Sequence, residues 1–162
     1  MGKWTVKQYG REDSPCPVAK AVFEEPFILI SLADLGEGWE KHEIPQSPLL
    51  VESLELNFHE HSPLLRASWS DAEMLRTHRC FSANDAHQIL DLLSRRLKQV
   101  TEVVVVCEAG LSRSVVLADA IAILIGAERD NCMKQYDNLD NYCWMRRRLL
   151  LHANLKRWRI PE

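Results

Sequence analysis

The 162-residue chain has no hydrophobic run long enough to cross a membrane. Its longest apolar stretch, around Ala118 to Ile125, is interrupted by Asp119. The N-terminal residues also lack the apolar segment of a secretory leader. These absences predict a soluble protein that does not have the membrane as a partner.

The chain has no large excess of either charge, since 20 Lys and Arg stand against 23 Asp and Glu, for a formal net charge of -3. Nucleic-acid binding generally depends on a basic surface, so nucleic acid is not expected as a partner. The C-terminal end is nevertheless locally basic at residues 145–148 and 156–159. That cluster is compatible with a solvated helix face or with a phosphorylated or anionic partner.

No two cysteines have the Cys-x2-Cys spacing of a zinc site, and the five cysteines are odd in number and irregularly spaced. Together with the missing leader, this pattern predicts the reducing cytoplasm as the location. His59 and His61 directly follow the predicted strand 49–58, and their alternate spacing would put them on one face of its continuation, but no third metal ligand follows nearby. We therefore expect neither a metal nor another cofactor.

The length suits one domain, which we place over residues 1–162. Apolar and β-branched runs predict strands, whereas apolar stripes at helical spacing and Ser-initiated capping boxes predict helices. The predicted strands are 4–6, 27–32, 49–58 and 103–106. One short helix is predicted to begin after Ser70, and four further helices are predicted over 82–100, 115–125, 130–136 and 141–158. This alternation predicts an α/β fold with a mostly parallel central sheet that is flanked by helices and binds ligands at the C-terminal ends of its strands.

The most informative segment runs from Val106 to Ser114 and reads Val-Cys-Glu-Ala-Gly-Leu-Ser-Arg-Ser. A buried strand precedes it and an apolar helix follows without a spacer, so the loop lies at a helix N-terminus. Backbone N–H groups and the helix dipole bind anions at such a place, and the same field favours a thiolate at Cys107. Arg113 offers two donors to an oxyanion, and Gly110 can adopt a positive φ. The segment thus predicts a phosphate-binding loop with a nucleophile at its base.

These residues resemble the Cys-x-x-Gly-x-x-Arg-Ser/Thr signature of the cysteine-based protein tyrosine phosphatases. They look most like the dual-specificity branch of that family and its small bacterial and phage relatives. The resemblance implies a protein tyrosine phosphatase-like fold and a two-step hydrolysis through a phosphocysteine. Cys107 would attack phosphorus, Arg113 and the loop amides would hold the phosphate oxygens, and Ser114 would ease departure of the sulfur. The loop that would bind the phosphate comprises Glu108, Ala109, Gly110, Leu111, Ser112 and Arg113.

Two positions depart from that family. Val106 stands where the family usually has His, so we expect the thiolate to be less stabilised than in the relatives. Relatives also carry an acidic pair after a Phe near the end of the second strand, and one Asp of the pair serves as general acid; here Phe58 is followed by His-Glu-His. Glu60 is the conservative replacement, although an exposed loop carboxylate is an equal interpretation. Asp71 is a second candidate, although its place after Ser70 also suits a helix start.

Three classes of function are compatible with this loop. The leading one is a phosphomonoesterase that acts on phosphorylated protein. Enzymes that act on phosphoinositides or on RNA 5′-phosphates use the same kind of loop. The second is a module that binds phosphate without turnover, although a pure binder has no use for the thiol of Cys107. The third is an arsenate-reductase-like or rhodanese-like enzyme, which for reduction would need a second thiol within reach.

Overall fold

The computed structural model describes residues 4–11, 14, 16–34, 44–58, 80–130 and 143–161. Five strands and three α-helices lie in these ranges. In chain order they are β1 (Thr5–Tyr9), β2 (Phe27–Ala33), β3 (Leu50–Asn57), α1 (Ala83–Arg96), β4 (Glu102–Cys107), α2 (Arg113–Ile125), β5 (Glu128–Asp130) and α3 (Cys143–Leu155).

The strands form one sheet with the order β3-β2-β4-β1-β5, and every neighbouring pair is parallel. β4 is the central strand, and all six of its residues are buried, as its run of four valines predicts. Leu32 of β2 and Cys107 of β4 pair at the ends of their strands. The predicted α/β class and parallel sheet are therefore confirmed, and Cys107 lies at the C-terminal edge of the sheet.

The direction of the crossovers places the helices. The β3-to-β4 and β4-to-β5 connections step across the sheet in one direction, so right-handed crossovers put α1 and α2 on the same face. α3 packs with both helices over this face. The β1-to-β2 and β2-to-β3 connections step the other way, and in the described part the second face is covered by residues outside the α-helices, such as Val18, Phe23 and Ile44.

The capping signals at two helix ends are confirmed. The Asp85 backbone N–H donates to Ser82 Oγ at 3.2 Å, and the Ser82 N–H donates to Asp85 Oδ2 at 2.7 Å, which starts α1 as a capping box does. Gly126 ends α2 in the left-handed conformation, with φ of 63°.

Three boundaries of the predicted helices are wrong. α1 ends at Arg96 rather than at Val100, because a 3₁₀ turn over Leu97–Gln99 follows it and Val100 has extended backbone. Asp130 is not the start of a helix, because it ends β5 and pairs with Lys7 of β1. α3 ends at Leu155 rather than at Trp158, because Arg157 adopts a positive φ of 51° and the Trp158 N–H turns back to the carbonyl of residue 153 at 2.9 Å. The rest of the predicted 130–136 helix and the helix after Ser70 lie outside the described residues.

Among the described cysteines, Cys16 is disulfide-bonded, whereas Cys80 and Cys107 are buried and form no disulfide. The number and spacing of the cysteines therefore do not by themselves establish a reducing location. Within the described ranges, no helix combines the length and the apolar content that spanning a membrane requires.

Candidate active site

Cys107 is the last residue of β4 and is fully buried. Its thiol donates a hydrogen bond to Ser114 Oγ, with 3.1 Å between the sulfur and the oxygen. Ser114 lies in the first turn of α2 and is itself buried. If the thiol loses its proton, the Ser114 hydroxyl becomes the donor, so the same contact stabilises a thiolate.

Arg113 is the first residue of α2, and only 1 % of it is exposed. Its Nη1 donates to Asp34 Oδ1 and to the carbonyl oxygen of Phe58, each at 3.0 Å. Its Cζ also lies 5.9 Å from the centre of the Phe58 ring. Because Asp34 follows β2 and Phe58 follows β3, the ends of two neighbouring strands fix the guanidinium at the edge where Cys107 lies. A buried cation needs such partners to offset its desolvation.

Residues 108–112 form a tight loop between β4 and α2. Gly110 has φ of 69°, and a Cβ atom built on it would lie 2.7 Å from the backbone N of Gly10. Close by, the Arg11 N–H donates to the carbonyl oxygen of Glu108 at 2.9 Å. The backbone that follows β1 therefore packs directly against the loop and holds its shape.

The loop leads straight into the N-terminus of α2. The first N–H groups of a helix have no partner within the helix, and together with the helix dipole they make this end favourable for an anion. Arg113 adds a full positive charge at the same place. The described residues contain no group of three or more His, Cys, Asp or Glu that could hold a metal. The arrangement of thiol, guanidinium and loop suits an oxyanion that is attacked by sulfur.

The structure thus brings together Cys107, Arg113, Ser114 and the loop, as the sequence predicts. Glu60 and Asp71, the two candidates for a general acid, lie outside the described residues, as do His59 and His61. Asp34 is a site residue that the sequence analysis missed. The available signal was its place directly after a buried strand, since the ends of parallel strands share one edge of the sheet.

The contact between Gly110 and Gly10 gives a testable prediction. Gly110→Ala is expected to lower turnover at least about tenfold and to destabilise the fold by about 1–3 kcal/mol, because the new Cβ meets backbone and the positive φ disfavours Ala. Gly126→Ala is the matched control: its φ is 63°, but no atom lies within 4 Å of the added Cβ. We expect that control to lose about 1 kcal/mol and to keep its turnover.

Thermal unfolding and hydrolysis of an aryl phosphate, measured on both glycine variants, test this expectation. Equal turnover in the two variants would show that the packing of Gly110 on Gly10 does not shape the site.

Comparisons of the chain with protein-family models, with curated proteins and with solved structures find no match. The chemistry of the site therefore follows from its own residues, namely a buried thiol, a buried guanidinium and a short loop at a helix N-terminus.

Proposed function

We propose that the protein is a cysteine-dependent phosphomonoesterase of the protein tyrosine or dual-specificity phosphatase type, with a fold of that kind. One observation carries this proposal: the buried thiol of Cys107 and the buried guanidinium of Arg113 lie at the two ends of one loop at the N-terminus of α2. A thiol serves attack on phosphorus and has no use in a site that only binds phosphate. Phosphorylated protein is the substrate class we favour.

The reacting form of Cys107 is the thiolate, whose proton has gone to solvent. In the first step, its sulfur forms a bond to phosphorus while the bond from phosphorus to the leaving oxygen breaks. The loop N–H groups and Arg113 stabilise the equatorial oxygens, on which negative charge is held in the transition state. Asp34 and the Phe58 carbonyl keep the guanidinium in position, with contacts of 3.0 Å each. A general acid gives its proton to the leaving oxygen.

In the second step, water attacks phosphorus, the bond between sulfur and phosphorus breaks, and sulfur leaves as a thiolate. The proton of the water returns to the carboxylate that acted as acid. The Ser114 hydroxyl, 3.1 Å from the sulfur, donates to the departing thiolate. Orthophosphate is the product, and the enzyme returns to its starting state.

Hydrolysis of a generic aryl phosphate by the wild-type protein tests this function, with vanadate as a competitive inhibitor. Vanadate adopts the five-coordinate geometry of the transition state and should bind the loop more tightly than phosphate does. Tight binding of phosphate together with no hydrolysis would instead support a binding module.

The identity of the general acid gives a second prediction. Glu60→Gln should slow hydrolysis of phosphotyrosine peptides by on the order of a hundredfold, and hydrolysis of nitrophenyl phosphate much less, because a nitrophenolate leaves without a proton. Steady-state kinetics on both substrates measure this selectivity. Asp71→Asn is the control, for which we expect a loss of stability at a helix start instead. The reverse pattern would identify Asp71 as the acid.

A further inference from the structure

A cavity of about 350 Å³ lies between the start of α1 and the exposed side of α3. Its apolar walls include Leu151 and Leu155, whose exposed fractions of 57 % and 70 % are high for leucine. Two guanidinium groups and two ring side chains complete the lining; they belong to Arg147, Arg148, Trp144 and His152. The cavity is therefore both apolar and rich in hydrogen-bond donors.

The charge on α3 and the residues that follow it has one sign over positions 143–161. Residues 143–161 contain six Lys and Arg and no acidic residue, although the whole chain has more acidic than basic residues. Arg147 and Arg148 are exposed, and neither forms an ion pair with the part of the chain that the structure describes. Burial, and then the nearby Lys156 and His87, lower the pKa of His152. The positive potential at this place comes from the exposed cations Arg147, Arg148 and Lys156.

Two buried polar atoms at the cavity have no hydrogen-bond partner among the described residues: Trp144 Nε1 and His152 Nε2. Buried polar groups normally find partners in folded proteins. Both atoms are closed to solvent, so a docked group meets the exposed guanidinium groups of the cavity rather than these nitrogens.

The cavity lies at the same end of the molecule as the phosphate loop. Arg113 Cζ is 5.9 Å from the Phe58 ring, the Phe58 and Phe81 rings are 5.4 Å apart, and the Phe81 and Trp144 rings are 6.4 Å apart. Three consecutive contacts therefore connect the catalytic Arg to the wall of the cavity. The rings of Phe58 and Phe81 are buried, so this connection runs through the core, and a docked peptide would follow the surface between the two places.

We propose that the cavity docks an acidic segment of the phosphorylated substrate protein, and this inference rests on the proposed phosphatase function. Carboxylates of the segment accept hydrogen bonds from the exposed guanidinium groups of Arg147 and Arg148, and an apolar side chain packs on Leu151 and Leu155. The phosphorylated residue of the same substrate protein lies in the loop. Charge complementarity selects an acidic partner over a neutral one.

The kinetic test uses two phosphopeptides that are identical except that Glu residues at the docking positions are Gln in one of them. In Arg147→Gln/Arg148→Gln, KM for the acidic peptide should rise about tenfold, as expected for two solvent-exposed pairs. The kcat, the KM for the Gln peptide and the turnover of an aryl phosphate should not change. Arg146→Gln/Arg159→Gln is the matched control, because it removes the same charge from two exposed residues that do not line the cavity. Equal losses in both double variants would overturn docking at the cavity.

A binding measurement separates this inference from the phosphatase function. Calorimetric titration of wild type with the unphosphorylated acidic peptide should show binding that the Arg147→Gln/Arg148→Gln variant loses and the control keeps. That result supports docking even if the protein hydrolyses no phosphate. If wild type does not bind the peptide, the proposal that the cavity docks an acidic segment is wrong. Binding of anionic phospholipid vesicles that depends on Arg147 and Arg148 would then identify a lipid surface as the partner.

Discussion

The Cys107→Ser variant is expected to show no measurable turnover of aryl phosphates or phosphopeptides, while it still binds phosphate and vanadate. A serine hydroxyl is a far weaker nucleophile than a thiolate, whereas the loop amides and Arg113 are unchanged by the substitution. Steady-state kinetics and calorimetric titration with orthophosphate measure the two properties separately.

Cys80→Ser is the control for that variant, because Cys80 is a second buried cysteine that forms no disulfide, precedes α1 and lies outside the loop. We expect Cys80→Ser to keep its turnover and to lose some stability, since a hydroxyl replaces an apolar thiol at a buried position. Undiminished activity in Cys107→Ser would rule out the phosphocysteine mechanism.

Arg113→Lys is expected to lower kcat by on the order of a thousandfold, which corresponds to about 4 kcal/mol of transition-state stabilisation. Through Nη1 the guanidinium donates to Asp34 and to the Phe58 carbonyl, which fixes its plane, and a planar fork of this kind matches two phosphate oxygens. An ammonium group is a point charge and cannot reproduce this planar geometry.

Arg129→Lys is the matched control for this substitution. Arg129 is mostly buried and pairs with Asp119 at 2.9 Å, but it lies in β5 rather than in the loop. We expect that control to change stability and to leave kcat within about twofold of wild type. A loss below about tenfold in Arg113→Lys would show that its guanidinium does not contact the transition state.

The parts of the site that are contiguous in sequence could be predicted, because local chemistry determines them. The four valines at 103–106 predict a buried strand, and the apolar run that ends at Gly126 predicts a helix. The loop between this strand and this helix is too short to hold another element. Cys107, Arg113 and Ser114 are therefore brought together by a stretch of nine residues, without help from distant parts of the chain.

The parts that depend on distant contacts could not be predicted. Asp34 is 79 positions from Arg113 in sequence, and it reaches the guanidinium only because β2 and β4 are neighbours in the sheet. Gly10 contacts the loop for the same reason, since β1 is the other neighbour of β4. No local pattern in the sequence encodes the order of the strands.

The edge strand β5 and the C-terminal end of α3 also depend on contacts that the local sequence does not predict. β5 has only three residues, with no apolar alternation, and it is a strand because it pairs with β1. The end of α3 is also set by tertiary contacts, because the Trp158 indole N–H donates to Ser94 Oγ of α1 at 2.8 Å. Periodicity alone continues that helix to Trp158, since it contains no information about α1.

The measurement that tests the central claim most directly is mass spectrometry of the protein denatured rapidly during turnover of an aryl phosphate. The Ser114→Ala variant is the best sample, because loss of the hydroxyl that contacts the sulfur should slow the second step and let the intermediate accumulate. We expect one phosphoryl group on Cys107, and none when Cys107→Ser is added to that variant. Turnover with the phosphoryl group on another residue, or with no covalent intermediate in Ser114→Ala, would contradict the phosphocysteine mechanism.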